Sequence, residues 1–533
     1  MKKNIVFSTT RQWNPGDEII LKGIINLLKS LKVEFNPIIF NRNPDIRSAC
    51  SMLQYGKKAD LDNEQWHYVK SSMLDNSIKQ WTDYTYIDAI IFAGTPEWLG
   101  TRNRELYINA IKYHIPVYFI GIDSAYRNLE VTISSVLKKA KFLSVRNHEI
   151  EQSFNSKGIY PYYLPCPSIF ASETEKEISK VECIGLIYRG LYRDVTLRNG
   201  WSQEEYTYQN ELFREVIKKY KSERKVIIIC HYIDELHYAQ RDFPEEDIRY
   251  SYDSADYMEI YKECDIVIGS RIHGIGIATS LGIPSIPIKY DSRGGTIDGF
   301  YPDSKLFENL KGLNALEECF SHIKEMNREL IKHKKETLEK YKTLLADVMD
   351  FEKVKYDYNL IQIGGDNVEE VSQELCKLDK TIYNQRLSSF IQTALKYVND
   401  TIEGKRVVIK GGGSHTVELL KYLTSGVDIV CIVDKDRSSF GEYPVVRNDE
   451  IKNLDFDYVL ISSHAFEHEM IEEMNALGLS DKVISLYRII EDSFGKINRE
   501  FYNFLTDENC NLPNMNVATE ENILEVMLRF KIP

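Results

Sequence analysis

Short apolar runs alternate with longer segments of helical periodicity over the first 165 residues of the chain. A continuous apolar run of four to eight residues is typical of a strand buried on both faces, and the helical segments between such runs indicate crossover helices. The pattern therefore predicts a parallel α/β sheet, and a second series of runs predicts another. The predicted strands are 4–8, 35–40, 89–93, 116–120, 142–145 and 162–164, followed by 183–188, 225–230, 265–268 and 284–290.

A change of pattern follows these two series. Residues 306–400 are rich in charged helical stretches, such as Ile323 to Leu345, and Arg406 to Lys410 then opens a third α/β unit. We expect an α/β protein with two Rossmann-like lobes that face a cleft and a third, small Rossmann-like domain. The expected domains are 1–170, 171–350, a helical connector at 351–402, 403–492, and a polar tail at 493–533.

Composition narrows the class of protein. The net charge of -13 argues against a general nucleic-acid binder, so an anionic ligand would need a local basic pocket. The nine cysteines are scattered without a CxxC pair, which argues against a disulfide framework or a metal cluster. No segment has the roughly 20 apolar residues of a membrane-spanning helix. We therefore expect a cytoplasmic protein. The sequence does not determine its oligomeric state, and a homo-oligomer is one possibility.

The most informative segment follows the predicted strand at 265–268. Ser270, Arg271, His273 and Gly274 lie where this strand turns into a helix of small residues. Arginine offers a planar fork of donors to an anion, and histidine can bind the same anion or move a proton near neutral pH. A helix N-terminus adds backbone amides to such a site. The alternative is a purely structural helix start whose Arg and His pair with nearby carbonyl groups.

Other strand ends carry chemically useful side chains. Asp17 lies at the start of the first helix, as a ligand-side group or only a helix cap. Glu97 could accept a hydroxyl proton and Trp98 could stack on a sugar, or Trp98 could simply cover the sheet. Asp123 is a second candidate base or another helix cap. Cationic candidates at strand ends are Arg11, Arg146, Arg189, Lys289 and Arg293, of which about half are expected to be surface charges or structural pairs.

The third unit carries a glycine-rich turn after its first strand. Gly411, Gly413 and Ser414, with Asp434 at the end of the next strand, suit a nucleotide or NAD-type ligand. Thr416 stands in place of the third glycine of that fingerprint. The unit resembles small Rossmann-like domains attached to sugar-modifying and methyl-transferring enzymes, which bind a nucleotide in some cases and only pack in others.

Taken in order, several motifs resemble those of the polysaccharide pyruvyl transferase family. The resemblance covers about residues 1–300, and its most specific part is the Ser-Arg-x-His-Gly segment from Ser270 to Gly274. Two departures exist: Asn147 stands where an aspartate is expected, and Cys166 replaces the usual acidic residue between two prolines. The motifs are Gly16-Asp17-Glu18, Gly94-Thr95-Pro96, Ser144-Val145-Arg146-Asn147, Pro165-Cys166-Pro167, Ser270-Arg271-x-His273-Gly274 and Gly282-Ile283-Pro284.

This resemblance implies a fold of the GT-B type, with phosphoenolpyruvate as donor, a saccharide or lipid-linked glycan as acceptor, and no required cofactor. Forming a pyruvate ketal needs cations for the phosphate and carboxylate, a proton donor, and a base for hydroxyls. Arg271 would hold the phosphate, His273 would hold it or act as general acid, and Asp123 or Glu97 would be the base. The expected donor side is Ser270, Arg271, His273, Gly274, Arg189, Lys289 and Arg293, and the expected acceptor side is Arg11, Asp17, Trp98 and Arg146.

Two other functions fit the same sequence. A GT-B glycosyltransferase with a nucleotide-sugar donor would also place an arginine at a helix start, because a diphosphate needs the same cation. A catalytically idle ligand-binding or sensor protein is the other alternative, since the connector and the third domain could serve assembly alone.

Overall fold

The structure is a computed structural model that describes most, but not all, of the 533 residues. The chain forms two compact units, one of residues 1–231, 253–380 and 498–533 and the other of residues 232–252 and 381–497. The described residues are 2–9, 15–41, 67–70, 84–94, 103–123, 131–190, 202–251, 254, 256–288, 294–356, 387–463, 466–494, 511–512 and 515–516.

The first unit contains a seven-stranded sheet of order β3-β2-β1-β4-β5-β6-β7, in which every neighbouring pair is parallel. Its central strands are apolar and buried on both faces, as a parallel sheet covered by helices requires. The strands are β1 (Lys3–Thr9), β2 (Phe35–Asn41), β3 (His67–Lys70), β4 (Ala89–Ala93), β5 (Val117–Ile122), β6 (Phe142–Val145) and β7 (Tyr162–Tyr163). The helices are α1 (Pro15–Ser30), α2 (Arg104–Tyr113), α3 (Val131–Lys138) and α4 (His148–Asn155).

Four strands of a second sheet belong to the same unit, in the order β9-β8-β10-β11, and every neighbouring pair among them is parallel. The order reverses between β8 and β10, and such switch points are where ligands bind at the carboxyl ends of strands. The strands are β8 (Cys183–Tyr188), β9 (Lys225–Cys230), β10 (Ile266–Gly269) and β11 (Ser285–Pro287). The helices are α5 (Gln203–Tyr220), α6 (Asp256–Glu263), α7 (Ile272–Leu281), α8 (Gly295–Asp298) and α9 (Gly312–Ala346).

The long helix α9 leads the chain back to the first sheet. The Tyr341 hydroxyl donates to the carbonyl oxygen of Pro165 at 2.8 Å, and the Tyr118 hydroxyl donates to that of Val348 at 2.9 Å. Tyr356 is buried in the core of the first lobe. Residues 351–356 are not helical, although they belong to the expected helical connector, and residues 357–386 lie outside the described residues.

The second unit holds a third parallel sheet, of order β14-β13-β12-β15-β16. The Gln240 amide donates to the Tyr397 hydroxyl at 3.3 Å within this unit. Its strands and helices are β12 (Arg406–Lys410), β13 (Asp428–Val433), β14 (Val445–Val446), β15 (Tyr458–Ile461), β16 (Val483–Ser485), α10 (Ser414–Leu419), α11 (Glu467–Ala476) and α12 (Leu486–Phe494), with a helix at Ile233–Asp242, a strand at Asp247–Arg249 and helical residues 387–402.

Three parallel sheets with helical crossovers confirm the predicted α/β class. The sequence did not predict β3 or the strand Asp247–Arg249, which are short and carry charged or polar residues. The predicted strand at 284–290 is also shorter in the structure, where β11 ends at Pro287. β11 lies at the edge of the sheet and has one neighbouring strand, and beyond Pro287 the Ile288 amide still donates to the Gly269 carbonyl oxygen of β10 at 2.8 Å.

Candidate functional site

Two arginines flank the switch point of the second sheet. Ile187 in β8 pairs with Gly269 in β10, and the chain continues two residues further to Arg189 and Arg271, respectively. Neighbouring parallel strands lie about 5 Å apart, so these two residues leave the sheet side by side at its carboxyl edge. The structure therefore brings together two cations that are 82 positions apart in the sequence.

Arg271 also forms the N-cap of α7. Its backbone is extended, it makes no side-chain capping hydrogen bond, and its carbonyl oxygen accepts from the Ile275 amide at 3.1 Å. The first-turn amides of α7 belong to Ile272, His273 and Gly274, and such amides favour a bound anion. Gly274 is required by close packing, because a Cβ there would lie 2.4 Å from the Tyr261 hydroxyl.

A buried histidine lies beneath this helix start. The Nε2 atom of His231 is 2.8 Å from the Tyr261 hydroxyl, and the ring packs against Tyr257 with centroids 4.9 Å apart. Burial, together with the nearby charge of Arg271, lowers the pKa of His231 to about 3. His231 is therefore neutral at physiological pH and serves as a structural support rather than a proton donor.

Ser270 has its hydroxyl in the protein interior. Its Oγ donates to Gln209 Oε1 at 3.5 Å, and Gln209 Nε2 donates to the Arg189 carbonyl oxygen at 3.0 Å. Both Ser270 and Gln209 are fully buried. Ser270 therefore helps to fix the turn after β10, and Gln209, which the sequence pattern of α5 does not single out, links this turn to the end of β8.

Arg146 follows β6 and is the central residue of a cluster of side chains at the carboxyl edge of the first sheet. Val145 pairs with Ile122, so Arg146 and Asp123 leave neighbouring strands together. The Arg146 Nη2 atom lies 3.3 Å from Asp123 Oδ2, and the two side chains are 2% and 6% exposed. A buried ion pair of this kind fixes the direction of the guanidinium group.

The same guanidinium reaches two further groups. Its Nη1 donates to Cys166 Sγ at 3.3 Å and lies 3.3 Å from His273 Nε2. Its Nε has no hydrogen-bond partner among the described residues. Burial alone would lower the pKa of Arg146, but the Cys166 sulfur and the carboxylates of Asp123 and Asp17 outweigh it, so the pKa is raised. Arg146 is thus a permanent buried cation.

His273 also contacts the start of the first helix. A Cβ at Gly16 would lie 1.9 Å from His273 Nδ1, so only glycine leaves room for the imidazole ring. Asp17, the next residue of α1, is buried and lies near enough to raise the pKa of Arg146. The N-termini of α1 and α7 therefore meet at His273, and both helix dipoles point their positive ends toward this place.

The Pro165–Ser168 segment is held by glycines from three separate elements. A Cβ at Gly23 of α1 would lie 1.9 Å from the Pro167 carbonyl oxygen, and one at Gly121 of β5 would lie 2.3 Å from Pro167 Cδ. A Cβ at Gly276 of α7 would lie 2.3 Å from Ser168 Oγ. This packing fixes Cys166 beside Arg146, where its sulfur takes the place expected for a carboxylate.

The predicted residues fall into three groups. Arg271, Arg189, Ser270 and Gly274 lie at the start of α7 or beside it, and His273 joins them to the cluster of Arg146, Asp123 and Asp17. The contact between Arg146 and His273 therefore joins a residue expected on the acceptor side to one expected on the donor side. Five candidates lie outside the described residues, namely Arg11, Glu97, Trp98, Lys289 and Arg293.

The glycine-rich turn of the second unit is closed by its own aspartate. Asp434 Oδ2 accepts from the Gly412 amide at 2.7 Å, and Oδ1 accepts from the amides of Asp436 and Arg437. Partial burial opposes ionisation, but these three amides outweigh it and lower the pKa of Asp434. Both carboxylate oxygens of Asp434 are therefore hydrogen-bonded to backbone amides. Of the predicted nucleotide-site residues in the turn, Gly411 is buried, and Gly413 and Ser414 are exposed.

Two wider features of the described residues bear on function. No helix among them combines the length and the apolar character that a membrane span needs. Across the same ranges, no three His, Cys, Asp or Glu side chains cluster in a way that could hold a metal ion.

Comparisons with known proteins give the following matches. The family model described as polysaccharide pyruvyl transferase matches residues 14–292, more than half of the chain, and a model described as C2185-like, N-terminal matches residues 403–485. No curated protein matches the chain.

Several solved structures are similar to part of the chain. They include the TcCGT1 complex with UDP (11% identity, covering 72% of this chain and 100% of that chain, TM-score 0.33). The trehalose 6-phosphate synthase of Burkholderia multivorans has 10% identity, with coverage of 66% and 98% and a TM-score of 0.35. A family 9 glycosyl transferase from Veillonella parvula has 12% identity, with coverage of 64% and 98% and a TM-score of 0.28.

Proposed function

Because the chain belongs to the polysaccharide pyruvyl transferase family, we propose that it transfers the pyruvyl group of phosphoenolpyruvate to two hydroxyls of a saccharide as a ketal, releasing phosphate. The observation that carries this proposal is the 3.3 Å contact between Arg146 Nη1 and His273 Nε2. This contact joins the Arg146 cation at the edge of the first sheet to the helix start that carries Arg271, in a protein of net charge -13.

The donor has two anionic groups, a phosphate and a carboxylate, and each needs a cation. Arg271, with the first-turn amides of α7, supplies the phosphate site, and Arg189 lies beside it at the switch point. Arg146 supplies the second cation, since its Nε has no partner among the described residues and its pKa is raised. Buried donors of this kind need little rearrangement as charge develops, which is the main source of electrostatic catalysis.

The reaction proceeds in two balanced steps. A sugar hydroxyl adds its oxygen to the enol carbon of phosphoenolpyruvate, its proton goes to a base, and the methylene carbon takes a proton from an acid to become a methyl group. The bond between the former enol carbon and the phosphate oxygen then breaks, phosphate leaves with the electron pair, and the oxygen of a second hydroxyl bonds to the same carbon and loses its proton. The product is a cyclic ketal that keeps the pyruvate carboxylate.

The contact with Arg146 determines which ring nitrogen of His273 carries the proton in the free protein. A guanidinium group only donates, so His273 Nε2 must accept, and the proton of the neutral ring lies on Nδ1. General-acid catalysis from Nε2 therefore requires His273 to leave this hydrogen bond and take up a proton at Nε2 when the donor binds, while Asp123 keeps Arg146 in place. Asp123 acts as a positioning residue, because its carboxylate holds Arg146 at 3.3 Å.

The test is to incubate the purified protein with phosphoenolpyruvate and extracted glycans or lipid-linked precursors, and to measure phosphate release together with ketal formation by mass spectrometry. We expect both products, and a rate about 10²- to 10³-fold lower for Arg271→Ala. Arg328→Ala, which removes an exposed arginine of α9, is the matched control and should behave as wild type. Wild-type phosphate release by Arg271→Ala, or turnover of nucleotide sugars in place of phosphoenolpyruvate, would refute the proposal.

A further inference from the structure

A separate cavity of about 730 Å³ opens beside the carboxyl end of β11. The first turn of α5, the end of β11, helix α8 and the segment before α9 line it. Its volume lies in the range of small-molecule sites, which is roughly 300 to 1,000 Å³. None of the site residues named above lines this cavity.

Aromatic side chains form one wall of the cavity. Tyr208 of α5 is 48% exposed, and the rings of Tyr301 and Phe307 stack with centroids 5.4 Å apart and an interplanar angle of 25°. The Tyr301 hydroxyl is 2.9 Å from Ser285 Oγ, so this pair of rings is held in place. Rigid, partly exposed aromatic faces suit a ligand with an apolar C–H face and a polar rim, such as a pyranose ring.

The polar groups of the cavity suit hydroxyls rather than anions. Glu204 and Asp298 present carboxylates, which accept hydrogen bonds from hydroxyl groups. Glu205 is partly used as a helix cap, because its Oε2 accepts from the Ser202 amide at 2.6 Å. Three carboxylates outnumber the single cation of the lining, Lys311, so phosphoenolpyruvate would be repelled here.

The cavity is also connected to the donor site through the fold. Pro287, at the end of β11, pairs with Gly269, from which the chain continues to Arg271. On the other side, a Cβ at Gly295 of α8 would lie 3.2 Å from the side chain of Asn147, the neighbour of Arg146. A ligand in the cavity thus lies one strand away from α7 and one short helix away from Arg146.

We propose that this cavity binds the acceptor, as a subsite for a neutral or amino-sugar residue. The proposal rests on the proposed pyruvyl transfer, because it assigns the acceptor of that reaction. It places part of acceptor recognition on the second lobe, whereas the sequence led us to expect the acceptor contacts on the first. Sugars with carboxylate or phosphate groups at this position should bind poorly.

Saturation-transfer NMR tests the proposal with the methyl glycosides of glucose, galactose, N-acetylglucosamine and N-acetylmannosamine as probes. We expect transfer to at least one glycoside, about tenfold weaker binding by Tyr208→Ala and weaker binding by Asp298→Asn. Tyr160→Ala is the matched control, since Tyr160 is 79% exposed and does not line the cavity. Transfer to none of the four glycosides, or equal binding by Tyr208→Ala, would overturn it.

A second measurement separates this inference from the proposed function. Binding of phosphoenolpyruvate, followed by titration calorimetry, should be unchanged in Tyr208→Ala and lost in Arg271→Ala. If the wild-type protein bound glycosides in the cavity but not phosphoenolpyruvate, the subsite would stand and the proposed function would fail. If phosphoenolpyruvate bound and Tyr208→Ala left glycoside binding intact, only the subsite would fail.

Discussion

The ion pair of Asp123 and Arg146 gives the sharpest stability prediction. Asp123→Asn removes a carboxylate 3.3 Å from a guanidinium while keeping the side-chain shape. At an effective dielectric constant of about 20, two unit charges at this distance attract by about 5 kcal/mol. Breaking a buried pair from one side costs about 3 to 5 kcal/mol. Arg146 keeps its contacts to Cys166 and His273, so we expect the free energy of unfolding to fall by about 3 kcal/mol.

Urea unfolding followed by far-ultraviolet circular dichroism measures this loss, because the ion pair lies at the ends of strands β5 and β6 of the first sheet. Glu339→Gln is the control, because it removes the same charge from the exposed Glu339–Lys342 pair, which should contribute less than about 1 kcal/mol. If Asp123→Asn came within about 1 kcal/mol of this control, the assigned role of the pair would be wrong.

Three further predictions follow from single contacts. Gly16→Ala should displace the His273 ring, because the new Cβ would lie 1.9 Å from Nδ1, and should raise KM for phosphoenolpyruvate about tenfold or more. Gly413→Ala is the control, because its new Cβ meets only open space and should leave KM unchanged. An unchanged KM in Gly16→Ala would contradict the site. Burial first, and then a nearby arginine, keep native His231 unprotonated down to about pH 3, whereas the unfolded chain takes up the proton near pH 6.5. The free energy of unfolding should therefore fall by about 1.4 kcal/mol for each pH unit as the pH is lowered between these two values. The urea midpoint should fall from pH 7 to pH 4 in the wild-type protein, and less steeply in His231→Gln. Asp434→Ala should lower the free energy of unfolding of the second unit by about 1 to 2 kcal/mol, because three backbone amides lose their acceptor. Circular dichroism should show a lower melting temperature, and an unchanged one would contradict the role given to this loop.

Much of the fold follows from local sequence signals. The runs that became β4, β5, β8 and β9 are continuous and apolar, and such runs are stable only as strands covered on both faces. The short strand β3 lacks this signal, because it lies at the edge of its sheet, where a strand is half covered and tolerates polar residues.

The sequence alone determined that Arg146 and Arg271 lie just beyond strand ends, because an apolar run that stops at a glycine or a charged residue marks a strand end whatever its neighbours are. It did not determine that Arg146 contacts His273, 127 residues away, because periodicity shows which face is buried but not what covers it. The tertiary structure decided that contact through close packing. Gly16 leaves space for the imidazole ring, and three glycines admit the segment that places Cys166 beside the guanidinium, which no local pattern encodes.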